Sequence, residues 1–206
     1  MAKHVITLSR ELGSGGNLIA QELSKRLDIP YYDKEIITKT SKDFGITEEK
    51  LKRNDEKKTN SFLYSLATAQ LAGIANPTFQ FNDIIVDDRS FMFTSETIKR
   101  LAEQPCIIVG RCADFILENR DIIKVFVCAE IDDRIARVAK SFELSEKNAL
   151  KLIQKTDKRR AAYYNSFTDK TWGKASNYHI TINTSALGID SSVDVLQKFV
   201  ENYNGK

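Results

Sequence analysis

Short apolar runs recur along the chain at His4–Leu8, Cys106–Val109, Lys124–Cys128 and His179–Asn183, separated by stretches with helical spacing. That alternation predicts an α/β sandwich with a mostly parallel sheet. The last helix has the cleanest pattern: Ile189, Val193, Leu196, Val200 and Tyr203 recur at steps of three and four, so one face packs on the sheet. Ile19, Leu23 and Leu27 mark the inner stripe of an earlier helix, which Asp28-Ile29-Pro30 ends. Between about 47 and 100 the pattern becomes helical without an obvious strand. Glu48–Lys58 is highly charged, Ser61–Ala75 is rich in Leu and Ala, and Asn76-Pro77-Thr78 is a break. This segment is expected to be a helical insertion on the sheet's edge. A second helix-rich stretch, Ser145–Tyr164, carries Lys155, Lys158, Arg159 and Arg160 and suits a mobile lid spanning about 145–172. The sequence contains no internal repeat and no low-complexity linker.

At 206 residues the chain can hold one sizeable core with a small inserted subdomain. Its 31 Lys and Arg against 28 Asp and Glu give a net charge of +3, too weak and scattered for a nucleic-acid or membrane surface. Small anionic substrates are the expected partners. Cys106, Cys112 and Cys128 have no metal-ligand spacing, and their apolar neighbours suit buried, reduced thiols in a cytoplasmic protein. The N-terminus lacks a basic region followed by an apolar core, and no run reaches membrane-spanning length, which argues against secretion and membrane insertion.

The chemistry concentrates where the first strand runs into Ser9-Arg-Glu-Leu-Gly-Ser-Gly-Gly16 and then a helix. In that order of elements, backbone N–H groups of the turn and of the helix's first turn converge on one point, where the helix dipole favours an anion. Gly13, Ser14, Gly15, Gly16 and Asn17 are therefore candidate phosphate-binding residues. Laid on the pattern G-x-x-x-x-G-K-[ST], Arg10 stands at the first glycine, Gly15 at the second, Gly16 at the lysine and Asn17 at the Ser/Thr. The cradle is kept and its usual cation is missing. Two readings stand for Arg10: a fixed charge with a bidentate fork for phosphate oxygens, or a surface arginine at a strand end.

The strand ending at Val109 leads into Gly110-Arg111-Cys-Ala-Asp114, so Arg111 and Asp114 face the crevice at the strands' carboxyl ends. Arg111 either meets an anion or pairs with a carboxylate; Asp114 either contacts a ligand or caps the next helix. Asp33 is likewise an N-cap or a contact for a substrate hydroxyl. Lys158, Arg159 and Arg160 form either a solvated face or the cations that in-line phosphoryl transfer requires. Arg134 and Arg137 share a helix face at i, i+3 and either reach a nucleotide or serve solubility. His4 and His179 fall in strands without a nucleophile nearby.

With these residues in place, the chain resembles the cytidylate-kinase-like family, relatives of bacterial cytidylate kinase among the P-loop nucleoside monophosphate kinases. The resemblance rests on the cradle, on Ile29-Pro-Tyr-Tyr-Asp33, on Ile107-Ile-Val-Gly-Arg-Cys-Ala-Asp114 and on Phe126-Val-Cys-Ala129 with the helix bearing Arg134 and Arg137. It continues through Thr156-Asp-Lys-Arg-Arg160 with Tyr163 and Tyr164, and through Tyr178 to Ser185. It implies a single P-loop NTP hydrolase type domain over 1–206: a three-layer sandwich with a five-stranded parallel sheet, a helical acceptor-binding insertion and a lid. It also implies transfer of the γ-phosphate of ATP, with Mg2+, to a nucleoside monophosphate, CMP or dCMP first. Gly13 to Asn17 would then hold the donor phosphates, with Arg10 compensating for the absent lysine. Arg111, Asp33 and Asp114 would serve the acceptor, and Arg159 or Arg160 would close over the transferring group. Arg134, Arg137 and Lys158 are further expected nucleotide contacts. Typical cytidylate kinases have Lys-Ser/Thr where this chain has Gly16-Asn17, and an aspartate where it has Cys112. Two alternatives keep the fold: a kinase for another small metabolite, and a nucleotide-binding regulatory protein without turnover.

Overall fold

A computed structural model of the chain describes residues 4–45, 47–48 and 81–205. Five parallel strands form its sheet: β1 (Val5–Arg10), β2 (Tyr31–Tyr32), β3 (Ile107–Val109), β4 (Ile122–Cys128) and β5 (Ile180–Asn183), in the order β2-β3-β1-β4-β5. β1 is central. Ile6 pairs with Ile107 of β3 on one side and Ile123 of β4 on the other. From β1 the chain passes to β2 at the edge and back to β3, then crosses β1 to build β4 and β5 on its other side. The crevice above the carboxyl end of β1 is therefore a topological switch point, where open α/β sheets place ligands.

Side chains alternate across the strands, and each face is covered by helices. Ile6 and Leu8 face a core built with Ile19 and Leu23 of α1 (Gly16–Leu27) and Val193 and Leu196 of α8 (Ile189–Glu201). Val5, Ile108 and Ile122 face the opposite core, with Ile36 of α2 (Glu35–Phe44), Ile98 of α3 (Phe81–Leu101) and Ala113 of α4 (Ala113–Ile116). A smaller cluster of Val138, Ala149 and Ile153 joins α5 (Ile131–Phe142) to α6 (Glu146–Phe167), with Leu12 packed against it. A one-turn α7 (Thr184–Leu187) follows β5.

The strand expected at His4–Leu8 runs two residues farther, to Arg10, because Ser9 and Arg10 continue the ladder opposite Phe126 and Val127. The strand expected from Lys124 begins earlier, at Ile122. The edge strand β2 has only two residues, too few for alternation to show; its pairing with Ile107 and Ile108 makes it a strand. Residues 81–101 of the expected insertion form a helix against α2 and α4. The Leu- and Ala-rich run, the Asn76-Pro77-Thr78 break and all but the first residue of the charged run lie outside the described residues. No described helix is long and apolar enough to cross a membrane. Cys106, Cys112 and Cys128 are free thiols.

Because Ile6 is completely buried at the centre of the sheet, Ile6→Ala should lower the unfolding free energy by about 2–5 kcal/mol in urea titrations. Val195→Ala, on the exposed side of α8, should change it by no more than about 0.5 kcal/mol.

Candidate active site

The cradle is held from outside by a set of charged tethers. The Glu11 carboxylate accepts the Ala129 N–H at 3.2 Å and pairs with Arg134. Arg134 donates from Nε to the Leu12 carbonyl at 2.8 Å and also meets Asp157 of α6. Asp157 in turn accepts the Leu12 N–H at 2.9 Å. Farther along, Arg137 donates to the Gly13 carbonyl at 3.0 Å and to Thr184 Oγ1 at 3.1 Å, and the Thr184 hydroxyl donates to the Ser14 carbonyl at 2.8 Å. Ser14 is fully buried, and its hydroxyl donates to the Glu11 carbonyl. The turn thus has its carbonyls and tethers on the protein side. Gly15 caps α1 at a φ of +83°, which leaves the helix's first turn facing the crevice.

Across the mouth of this cradle lies Arg10. Its stem passes so close over Gly16 that a Cβ there would sit 2.6 Å from the Arg10 Cβ. Its Nη1 lies over Gly110, where a Cβ would come within 2.5 Å. The guanidinium therefore spans the gap between the turn after β1 and the turn after β3. Nε donates to Asn17 Oδ1 at 3.2 Å, Nη2 donates to Asp33 Oδ1 at 3.1 Å, and the Asn17 amide donates to Asp33 Oδ2 at 2.9 Å, closing a ring of three side chains. Asp33 is not an N-cap: α2 starts behind Lys34 with no side-chain cap, and both carboxylate oxygens of Asp33 are engaged in the ring. The surface reading of Arg10 also falls, since its side chain is only 14% exposed.

Two cavities meet at this point. One, of about 380 Å³, lies over Gly13, Gly15, Gly16 and Asn17, with Arg137, Lys140 and Phe142 of α5 as its far wall. The other, of about 350 Å³, is lined by Asp33, Arg111, Arg159, Tyr163, Tyr164 and Trp172, among others. Arg10 and Arg160 line both. Arg160 donates to the Arg10 carbonyl at 2.8 Å, which places its charge beside that of Arg10. Burial, then Arg10, then Arg111 push the Arg160 pKa down, against the opposing pull of Asp157 and Asp33. Burial also lowers the Arg10 pKa, with Asp33 opposing and Arg111 adding to the fall. Such a cluster holds its positive charges at a cost that an anion would relieve.

Arg111 and Cys112 both have positive φ, 60° and 55°, uncommon for residues with a Cβ. Backbone strain of this kind clusters at ligand sites, and here it turns Arg111 into the second cavity.

Several expected positions have other roles. Asp114 is not the cap of α4 and lines neither of the two cavities. It lies inside α4, 4% exposed, and accepts a hydrogen bond from the Tyr164 hydroxyl at 2.7 Å. Arg134 is buried and committed to Glu11, Leu12 and Asp157, so it braces the cradle from behind and lines neither cavity. Lys158 faces solvent. The segment expected as a lid is largely one continuous 22-residue helix, α6, fastened to the cradle through Asp157. Sequence reading did not assign the tethering roles of Glu11 and Asp157. The one local signal was an acidic residue three positions before Arg160 in a basic run.

The profile of the cytidylate kinase-like family matches residues 5–186. The chain belongs to this family. No curated protein sequence gives a significant match. Among solved structures, an uncharacterized protein from Eubacterium ventriosum is similar at 24% identity and a TM-score of 0.71, over 98% of this chain and 100% of that one. Shikimate kinase from Bacteroides thetaiotaomicron is similar at 15% identity and a TM-score of 0.54, over 97% and 99%. Shikimate kinase from Acinetobacter baumannii, solved with shikimate, gives 14% and 0.51 over 98% and 96%. At these identities the likeness shows a shared fold, that of the P-loop kinases.

Two outcomes follow from the tethers. Asp157→Asn keeps an acceptor for Leu12 but removes the charge facing Arg134, and should cost about 1.5–3 kcal/mol of stability in denaturant titrations. Burial raises the Asp114 pKa, against the Tyr164 hydrogen bond that lowers it. An acid with a raised native pKa binds its proton more tightly when folded, so it lowers stability as pH rises from the ordinary 3.8 to the native value. Asp114→Asn, which still accepts from Tyr164, should therefore flatten the melting temperature's decline across that window. An unchanged pH profile in thermal melts would count against the raised pKa.

Proposed function

We propose that the protein is an ATP-dependent kinase that transfers the γ-phosphoryl group to a nucleoside monophosphate, with CMP or dCMP as the acceptor. The observation that carries this reading is that Arg10 and Arg160 line both cavities. A group passing from a donor over the cradle to an acceptor beside Arg111 crosses between those two guanidiniums. Phosphoryl transfer spreads charge over the equatorial oxygens of the moving group, so fixed cations at the crossing stabilise the transition state more than the ground state.

The other residues have roles consistent with this one. Amides of the cradle and the start of α1 hold the donor phosphates. Arg111 and Arg159 face the cavity on the acceptor side, where their forks match a phosphate. Tyr163, Tyr164 and Trp172 supply aromatic wall for a planar base. An acceptor phosphate oxygen is already ionised near neutral pH, so positioning and charge neutralisation carry the reaction without a general base.

The test is ADP formation from Mg-ATP by the purified protein with CMP, dCMP, UMP, AMP and GMP in parallel, with the diphosphate product identified. Acceptor-dependent ADP with CMP or dCMP is expected, and Arg159→Ala should lower kcat by about 10²–10³-fold while leaving ATP affinity nearly unchanged. ATP binding without turnover on any of these acceptors would overturn the nucleoside monophosphate reading in favour of a kinase for another small metabolite or a nucleotide-binding regulatory protein, the latter favoured by Gly16 and Asn17 in the lysine and Ser/Thr positions.

A further inference from the structure

The family implies magnesium, and the side chains at the cradle do not fit it as ligands. Magnesium takes about six oxygens in near-ideal octahedral geometry and is held in kinases by one or two side-chain oxygens together with phosphates and water. Of the side-chain oxygens around the cradle, Asn17 Oδ1 and the two of Asp33 accept hydrogen bonds within the Arg10 ring, and the Glu11 carboxylate, which lines the cradle's cavity, is held by the Ala129 N–H and Arg134. The orientation of the Asn17 amide follows from its neighbours: its oxygen must face the guanidinium, which only donates, and its nitrogen must face the carboxylate, which only accepts. A metal ligated by Asn17 or Asp33 would compete with Arg10 for the charge and dipole that those oxygens already direct at the guanidinium. A divalent cation there would also sit beside Arg10 and Arg160, and the nearby carboxylates of Glu11 and Asp157 are already paired with Arg134. Among the described residues no group of three or more His, Cys, Asp or Glu side chains is placed to hold a metal ion.

We infer that the Arg10 guanidinium, locked by Asn17 and Asp33, is the resident counter-cation for the donor phosphates in place of a protein-anchored metal ion, so that this chain binds nucleotide with metal removed. The inference rests on the nucleotide-binding part of the function proposed above. The geometry supports it in two ways. The ring engages Nε and Nη2 and leaves Nη1 over Gly110, and Arg10 lines both cavities, so the arginine is oriented without all of its donors being used in the ring. Gly16 supplies the room for its stem, and a side chain at that position would displace it.

The experiment is isothermal titration calorimetry of the intact chain with ATP, in magnesium and again in excess EDTA. The expected dissociation constants agree within about threefold, which is under 1 kcal/mol. Arg10→Gln should weaken ATP binding in EDTA by about tenfold or more, the worth of a charge-assisted contact. Arg10→Lys, which retains the charge without the double fork, should fall between the parent and the glutamine variant. Thermal melts of each variant separate a folding defect from a binding defect, and the comparison of the two buffers on the parent chain needs no variant. ATP binding that appears only with magnesium overturns this inference and leaves the kinase reading standing. No ATP binding in either buffer overturns the function itself, and this inference with it.

Discussion

A single guanidinium, largely buried, organises the carboxyl end of the sheet. Arg10 is the last residue of the central strand, and its side chain reaches back over the start of α1 to Asn17 and sideways to Asp33 after β2. The end of β1, the start of α1 and the turn after β2 are joined through that one group. Taking an arginine out of water is expensive unless its donors are met. The ring meets two of them and supplies one compensating carboxylate, while Arg111 and Arg160 add like charge. The balance leaves a site that is positive and preorganised, as the phosphoryl transfer proposed for it would require.

Preorganisation of this kind needs a rigid loop, and the loop is short of intrinsic rigidity because it is rich in glycine. Its stiffness comes from behind. Glu11, Arg134 and Asp157 form a charged strut that fastens Leu12 to α5 and α6, and Arg137 with Thr184 does the same for Gly13 and Ser14. The strut also explains why α6 is better described as a wall of the site. Arg160 reaches the junction because Asp157, three residues before it, sets the helix's position on the cradle. Removing charge from the strut would loosen the loop and misplace Arg160 together, so effects at Asp157 and in the cradle should not be additive.

Much of this was legible in the chain. Four strands, the inner stripes of α1 and α8, and the strand-turn-helix order of the cradle all show as periodicity and punctuation, because those features depend on local sequence. Arg10, Arg111, Arg159 and Arg160 were identifiable as residue types at strand ends and in a basic run. The partners were not. Whether Asp33 caps a helix or holds Arg10, and whether Arg134 meets nucleotide or a buried carboxylate, is decided by contacts across 23 residues in each case. The two-residue strand β2 was hidden for the same reason, since pairing with β3 defines it.

Glycine at the lysine position looks like a loss when the motif is read along the chain, and the packing gives it another meaning. The volume above residue 16 is already filled by the Arg10 Cβ and Cγ, so a lysine stem and this arginine cannot occupy the cradle together. A cation carried on β1 differs in kind from one carried on α1. It is planar and forked, so it can be locked by two side chains and still present an edge, whereas an ammonium on a four-carbon stem is a mobile point charge. The arrangement exchanges reach for orientation. Asn17 fits the same logic, since a serine or threonine hydroxyl is too short to bridge Arg10 and Asp33 from that position, while an amide offers an acceptor and a donor at the right ends. Arg10, Gly16, Asn17 and Asp33 thus form one unit, in which each residue type is required by the other three.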